Sequence, residues 1–143
     1  MNERKASSQE TPRASKAFIY VVDDEPMLLE LATVILEPLG YTVATFRDPE
    51  MALQAFASAQ PQPDLLITDY AMHEMNGLAL LEQCRKINAH QKALLISGTV
   101  DETIYRDARV KPDRFLAKPY YAKQLADSVR ELLEAGAAEH RPG

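Results

Sequence analysis

The chain has 143 residues, of which 46% are hydrophobic and 26% charged, and its net charge is −5. This length suits one domain with a single core, and the lack of an apolar run long enough for a signal peptide or a membrane span predicts a cytoplasmic protein. The single cysteine excludes an internal disulfide framework, and the acidic balance makes the chain a poor binder of nucleic acid.

The first 16 residues differ in composition from the rest of the chain. They are rich in Ser, Lys, Arg, Glu and Gln and contain almost nothing apolar. Such a composition predicts a disordered N-terminal tail. The tail carries four basic residues against two acidic ones, so residues 17–143 carry a charge of −7.

Five short apolar runs predict β-strands. They lie at residues 17–22, 41–46, 65–69, 92–96 and 114–117. Runs this short and apolar are typical of strands that are buried on both faces of a parallel sheet. Most of the runs lead into a polar side chain: the first into Asp23 and Asp24, the third into Asp69, the fourth into Ser97 and the fifth into Lys118.

Two helices are predicted in the first half of the chain. Pro26 and Pro49 each fit the first turn of a helix. The N–H groups of that turn have no acceptor within the helix, so proline, which lacks an N–H, costs no hydrogen bond there. Asp48 is in position to cap the second of these helices, which we expect to end near residue 59. The buried face of the first helix is predicted from apolar residues at helical spacing, namely Leu28, Leu31, Ala32, Ile35 and Leu39.

Three further helices are predicted in the second half. An Asn-Gly turn signal at residues 76–77 precedes the third helix. Thr99 and Glu102 have the spacing of a capping box and predict a fourth helix, which is weak because β-branched residues follow. The last helix is expected at residues 121–135 and leaves residues 136–143 as a C-terminal tail.

Five strands that alternate with five helices predict an α/β fold. The strands form one parallel sheet that is covered on both faces, because crossover connections are right-handed and each helix must bury its apolar side. The sequence contains no internal repeat. We therefore expect one domain at residues 17–135, between the disordered tail at residues 1–16 and the C-terminal tail at residues 136–143.

The polar residues that follow the strands predict a site at one edge of this sheet. Ligand chemistry in open α/β sheets lies beyond the carboxyl ends of the strands. If their strands are neighbours, Asp23, Asp24 and Asp69 would meet there and repel one another unless a cation binds or protons are taken up, and such hard oxygen ligands suit Mg²⁺. Lys118 adds a positive charge and Ser97 a hydroxyl donor. Together these groups could clamp a phosphoryl group, with Asp69 as the attacking carboxylate.

In the order and spacing of these polar residues, the sequence resembles the CheY-like receiver domains of two-component response regulators. The positions that carry the resemblance are Asp23-Asp24, Asp69, Ser97 and Lys118-Pro119. The resemblance covers residues 17–135. It implies a flavodoxin-like fold, in which five parallel strands in the order 2-1-3-4-5 are surrounded by five helices.

The resemblance also implies a set of metal ligands and a phosphoacceptor. Asp69 would accept a phosphoryl group from the phosphohistidine of a sensor histidine kinase or a phosphotransfer protein. Asp23, Asp24, Asp69 and the backbone carbonyl of Ala71 would hold Mg²⁺.

Other positions would bind the phosphoryl group and transmit its presence. Ser97 and Lys118 would hold the phosphoryl oxygens, and Ser97 and Phe115 would form the switch, with Phe115 turning inward. The Lys118–Pro119 peptide bond would be cis. Three positions depart from the usual pattern of the family: His73, Gly98 and residues 110–113.

The function implied is that of a single-domain response regulator in a phosphorelay. Such a protein is a switch and not a metabolic enzyme, although it catalyses its own phosphotransfer and a slow autodephosphorylation. The signal would leave through the face formed by the fourth helix, the fifth strand and the fifth helix, and a second copy of the chain is a candidate partner at that face. No direct contact with nucleic acid or membrane is expected.

Four alternatives compete with this interpretation. The chain could be a receiver-like interaction module that works without phosphorylation, or the receiver portion of a hybrid histidine kinase. A hydrolase with an aspartyl-phosphate intermediate would need a second acid at residue 71, where Ala71 stands. A flavin mononucleotide carrier would need a phosphate loop after the first strand, where Asp23 and Asp24 would repel phosphate.

Overall fold

The computed structural model describes residues 17–98 and 106–139, with the side chains of residues 136–139 excepted. Within them the sheet has five parallel strands, which pair in the order β2-β1-β3-β4-β5. The strands are β1 (Phe18–Val22), β2 (Thr42–Phe46), β3 (Leu65–Asp69), β4 (Ala93–Ser97) and β5 (Arg114–Ala117). This confirms the predicted flavodoxin-like sheet and its strand order.

Four α-helices lie within the described residues. They are α1 (Pro26–Leu36), α2 (Pro49–Ser58), α3 (Gly77–Ile87) and α4 (Ala122–Glu139). The side chains of Asp48 and Asn76 cap α2 and α3 by accepting hydrogen bonds from backbone N–H groups. The predicted fourth helix, which would begin between Thr99 and Glu102, falls outside the described residues, as does the tail at residues 1–16.

The last helix is longer than predicted. It continues past residue 135 to Glu139. Glycine in a helix interior is less favourable than alanine by only about 1 kcal/mol, and Gly136 stands between alanines, which have the highest helix propensity. A single glycine was therefore a weak signal for the end of this helix.

The sheet separates two apolar cores. Alternate side chains of each strand point to opposite faces, so Ile19 and Val21 enter one core and Tyr20 and Val22 the other. Helices α1 and α4 cover the first face, and α2 and α3 cover the second. Because both faces are covered, β3 and β4 are buried along their whole lengths.

The predicted buried face of α1 was partly wrong. The helix buries Leu29, Ala32 and Leu36, whereas Leu31 is 42% exposed and Leu39, in the 3₁₀ turn that follows, is 49% exposed. Ten of the eleven residues of α1 are uncharged, and most are apolar, so that the sequence is compatible with more than one buried face. In the structure the sheet selects one of these faces.

No helix within the described part of the chain combines the length and the apolar character that a membrane crossing requires. The connections at the carboxyl ends of the strands carry the polar residues that the sequence singled out. This edge of the sheet is the candidate site.

Candidate functional site

The strand order places the predicted site residues side by side. Asp23 follows β1 and Asp69 ends β3, and these two strands are neighbours with Val22 paired to Thr68. On the other side of β3, Ser97 ends β4 and is paired with Ala117, the residue before Lys118. The central strands therefore deliver their polar groups to one edge, as the sequence predicted.

The three aspartates form a tight carboxylate cluster. One carboxylate oxygen from each of Asp23, Asp24 and Asp69 lies within 4.8 Å of the others. Asp23 and Asp69 are buried, at 6% and 5% exposure, and Asp24 is partly buried. Three anionic groups at this separation, two of them out of water, are electrostatically unfavourable without a positive charge between them.

Burial raises the pKa of Asp23 to about 6. The backbone N–H of Glu25 opposes this increase by donating to Asp23 Oδ1 at 2.9 Å, and the negative charges of Asp69 and Asp24 add to it. Burial likewise raises the pKa of Asp69. Both carboxyl groups therefore bind protons more tightly than free aspartates do.

Lys118 supplies a positive charge to the cluster. Its Nζ atom lies 2.9 Å from Asp69 Oδ1 and 3.6 Å from Asp23 Oδ2. Burial lowers the pKa of Lys118, but the hydrogen bond to Asp69 and the two carboxylate charges outweigh burial, so its pKa is raised. The lysine is therefore a fixed cation, and one cation faces three carboxylates.

This donor set fits a divalent cation. Mg²⁺ is held by one or two carboxylates, binds oxygen and keeps several waters. The cluster offers three carboxylates within 4.8 Å of one another and an excess of negative charge over Lys118. Ala71, whose backbone carbonyl was the fourth predicted ligand, is an exposed loop residue two positions after Asp69.

His73 lies beside the cluster but outside it. Its Nε2 atom is 3.5 Å from Asp24 Oδ2, while its side chain is 90% exposed. The next residue, Glu74, has a φ of 70° in the left-handed region. His73 is thus part of the loop that borders the site.

The remaining predicted residues lie on β4 and β5. Ser97 is buried, at 2% exposure, and its backbone carbonyl accepts a hydrogen bond from the N–H of Lys118 at 2.8 Å. Phe115 is partly buried in β5, opposite Leu95. The peptide bond between Lys118 and Pro119 is cis.

Sequence reasoning missed the role of Gly77 at this site. A Cβ atom at Gly77 would lie 2.4 Å from the backbone oxygen of Asp69 and 2.8 Å from Leu95 Cδ1. The N–H of Gly77 donates to the carbonyl of Tyr70 at 2.8 Å. The first residue of α3 therefore rests against the strand end that carries Asp69. The Asn-Gly pair signalled a turn, but not this contact.

Comparisons with known proteins agree on one family. A family model described as "Response regulator receiver domain" matches residues 19–130. The chain is 29% identical over 133 residues to the sensor kinase CckA of Brucella abortus and 31% identical over 120 residues to the DNA-binding response regulator MtrA of Mycolicibacterium smegmatis. These alignments cover 92% and 80% of the chain.

The same alignments cover only part of each relative. The chain spans 14% of CckA and 50% of MtrA, so both are considerably longer proteins. Among solved structures, the response regulator TrrA of Thermotoga maritima in complex with Mg²⁺ and BeF is 29% identical, with a TM-score of 0.73. That match covers 81% of this chain and 98% of TrrA.

Proposed function

The chain belongs to the response regulator receiver domain family, and from this premise we propose that it is a phosphorylation-controlled switch whose phosphoacceptor is Asp69. Receiver domains are phosphoacceptor switches of two-component systems, and they bind Mg²⁺ at an acidic pocket. The observation that carries the proposal is the pairing of Asp69 with Lys118 at 2.9 Å inside a cluster of three aspartates.

Asp69 performs the transfer in this proposal. One of its carboxylate oxygens attacks the phosphorus atom of a phosphohistidine, and the P–N bond breaks as the O–P bond forms. The electron pair of the broken bond stays on the imidazole nitrogen, and the ring leaves as neutral imidazole because its other nitrogen carries a proton. Lys118 favours the ionised form of Asp69 that this attack requires, against the burial that raises the pKa of the carboxyl group.

Mg²⁺ would be held by Asp23, Asp24, Asp69 and the backbone carbonyl of Ala71, and when bound it supplies positive charge for the phosphoryl oxygens. Lys118, whose Nζ atom lies 2.9 Å from Asp69 Oδ1, would neutralise part of the same charge. Ser97 donates its hydroxyl hydrogen to a phosphoryl oxygen. The protein's contribution is thus largely electrostatic and is already arranged before the donor arrives.

Phosphorylation would then change the outer surface of the domain. It adds a charge of roughly −1.5 to −2 and three acceptor oxygens at Asp69. Ser97 and Lys118 are drawn toward these oxygens, and Phe115 turns inward beside them. The resulting population shift would reach the face formed by the predicted fourth helix, β5 and α4.

We assign receiver activity to residues 17–135, which residues 1–16 precede and beyond which α4 continues to Glu139. The phosphodonor is a sensor histidine kinase or a phosphotransfer protein. The domain acts as a single-domain regulator through protein contacts at its output face, where a second copy of the chain is a candidate partner. It catalyses its own phosphotransfer and slow dephosphorylation and turns over no metabolite.

Labelling with acetyl phosphate tests the phosphoacceptor. We expect an acid-labile, hydroxylamine-sensitive phosphate that forms only with Mg²⁺ and is lost in Asp69→Asn, as measured by intact-mass spectrometry. Asp48→Asn is the matched control, because asparagine also caps α2 at that position and the carboxylate lies outside the cluster. Undiminished labelling of the Asp69→Asn variant would refute the assignment of Asp69 as the phosphoacceptor.

A further inference from the structure

A histidine ring stands beside the carboxylate cluster. The Nε2 atom of His73 lies 3.5 Å from Asp24 Oδ2. Asp24 is the most exposed of the three aspartates, with 26% of its side chain exposed against 8% for Asp23 and 6% for Asp69. The imidazole nitrogen is therefore next to the carboxylate that solvent and its ions reach most easily. His73 is also one of the positions at which the sequence departs from the usual pattern of the family.

The separation of these two atoms suits two ligands of one ion. An N–H···O hydrogen bond measures about 2.7–3.2 Å between nitrogen and oxygen, so the contact between His73 and Asp24 is long for a direct bond. Two donor atoms that each lie about 2.1 Å from a metal ion are about 3.0 Å apart at a right angle and about 3.4 Å apart at the tetrahedral angle. A cation could thus bind both side chains with little movement of either.

The loop holds the backbone of His73 and leaves its ring in solvent. Met72 and Met75, on either side of it, pack against the core between the sheet, α2 and α3. The N–H of Met75 donates to the carbonyl of His73 at 2.6 Å, across Glu74. The His73 side chain itself is 90% exposed. The ring can therefore turn toward an ion at the cluster without disturbing the packing of the loop.

The charge of the cluster also favours a neutral ligand. Three carboxylates and Lys118 sum to −2, which one divalent cation neutralises. A further carboxylate would leave the loaded site negative, whereas a neutral imidazole adds a donor atom and no charge. The site could thus gain a ligand from His73 while its charge stays balanced by the ion.

An imidazole changes which metal ions a site prefers. Carboxylate, carbonyl and water oxygens suit Mg²⁺, whereas imidazole nitrogen suits the later first-row transition metals, and the affinity of nitrogen and oxygen sites rises from Mn²⁺ through Fe²⁺ and Co²⁺ to Ni²⁺. Mg²⁺ keeps several waters when it binds to protein, so an imidazole in place of one water gives it little. A histidine ligand therefore raises the affinity for transition metals much more than the affinity for Mg²⁺.

We infer that His73 is an additional ligand of this metal site, beside Asp24, and that the site takes a divalent transition metal ion such as Co²⁺ or Ni²⁺ in preference to Mg²⁺. The inference rests on the proposed function, because the site that His73 extends is the one proposed to hold Mg²⁺. It concerns the identity of the ion and leaves Asp69 as the phosphoacceptor.

Metal titration of the whole chain, prepared without a histidine tag, tests the inference. Co²⁺ is the probe, titrated by calorimetry, and the affinity for Mg²⁺ is measured by competition against Co²⁺. His73→Ala is the test variant. His90→Ala is the matched control, because His90 is also exposed but lies in the connection between α3 and β4, at the amino end of the strands. Asp24→Asn shows whether the ion is at the cluster.

We expect His73→Ala to weaken Co²⁺ binding by at least about tenfold, since loss of a mere supporting partner of a ligand already costs about 10–100-fold. Its affinity for Mg²⁺ should fall less than about threefold, because water replaces the imidazole. His90→Ala should bind both ions as the wild type does, and Asp24→Asn should bind both more weakly. In ¹H NMR, Co²⁺ should shift the carbon-bound ring protons of His73 far outside their normal range. These shifted signals should be missing from His73→Ala and present in His90→Ala.

Equal affinities of the wild type and His73→Ala for Co²⁺ would overturn the inference and leave the proposed function standing. Co²⁺ that Mg²⁺ does not displace, or that Asp24→Asn binds as tightly as the wild type, would overturn it as well, because the ion would then lie outside the cluster. Wild-type protein that binds neither ion would instead refute the metal site of the proposed function, and with it the inference that rests on that site.

Discussion

Asp23 shows how the site places electrostatic strain on single residues. Its carboxyl group is buried between two other aspartates and is compensated by one N–H group and a lysine 3.6 Å away. Because burial raises its pKa from 3.8 to about 6, the folded state binds this proton more tightly than the unfolded state does. In metal-free protein, ionisation of Asp23 therefore opposes folding.

Because the folded state binds the proton of Asp23 more tightly, the free energy of unfolding depends on pH. In the presence of a chelator, Asp23 should reduce the free energy of unfolding as pH rises from about 4 to about 6, because in that window the folded state binds more protons. The decrease should reach up to about 3 kcal/mol, the equivalent of the pKa difference. Urea unfolding at a series of pH values measures it.

Asp23→Asn is the matched variant for this experiment, since it keeps the size and the acceptor for the Glu25 N–H but does not titrate. The difference between the wild type and this variant isolates Asp23 from other carboxyl groups. Mg²⁺ should abolish the decrease in the wild type, because the ion competes with protons for the same oxygens. Identical pH profiles of the two proteins without metal would contradict the prediction.

At the scale of elements, α3 is fixed at both of its ends to the sheet. Its first residue rests on the backbone of Asp69. Near its other end, Arg85 donates to the carbonyls of Gln91 and Lys111 and to the carboxylate of Asp113. These contacts hold the segments that lead into β4 and β5. The helix therefore spans from the strand end that carries Asp69 to the opposite edge of the sheet.

Gly77→Ala should disturb the first of these attachments. The added Cβ atom would lie 2.4 Å from the oxygen of Asp69, so α3 or the end of β3 must move. Overpacking of this kind destabilises a fold by about 1 to 3 kcal/mol. We expect a decrease of that size in the free energy of unfolding by urea, and slower labelling by acetyl phosphate because Asp69 is displaced.

Gly98→Ala is the matched control for this substitution. It is also a glycine beside the site, but among the described residues its added Cβ atom would meet Lys118 Cβ alone, at 3.9 Å, which is ordinary van der Waals contact. Its stability should stay within about 0.5 kcal/mol of the wild type. Equal stability of the two variants would show that the approach of Gly77 to Asp69 is not tight.

For the whole molecule, the sheet and the placement of the site could be predicted because they depend on local pattern. Each strand is a short apolar run, and its last residue marks the carboxyl edge. Asp69 and Ser97 are the last residues of their strands, and Asp23 and Lys118 each follow one directly. Parallel pairing places these four residues at one edge, and the strand order, which the family resemblance implied, makes their strands neighbours.

The details that failed depend on contacts between distant parts of the chain. The core face of α1 is selected by the sheet, because the helix is apolar on both sides and has no internal preference. The contact of Gly77 with Asp69 depends on where the loop after β3 positions the start of α3. The spacing of residues in the sequence does not determine that position. The periodicity of apolar residues predicts a helix or strand, whereas packing against the rest of the chain determines which of its residues are buried or make contacts.

Cys84 offers a test at the scale of the whole molecule. It is the single thiol of the chain, it lies 1% exposed in the core between α2, α3 and the sheet, and burial raises its pKa to about 12. A thiol reagent that needs the thiolate should therefore react only when the core opens. The labelling rate then reports the free energy of that opening.

Mg²⁺ with beryllofluoride, used as a substitute for the phosphoryl group, should slow this labelling. A ligand at one hundred times its dissociation constant stabilises the folded state by about 2.7 kcal/mol, so Cys84 should react about a hundredfold more slowly. The effect should disappear without Mg²⁺ and in Asp69→Asn, although Asp69 and Cys84 lie on different elements. Labelling at the rate of an unfolded thiol would contradict the closed core. An unchanged rate with ligand would show that the site and the core do not stabilise each other.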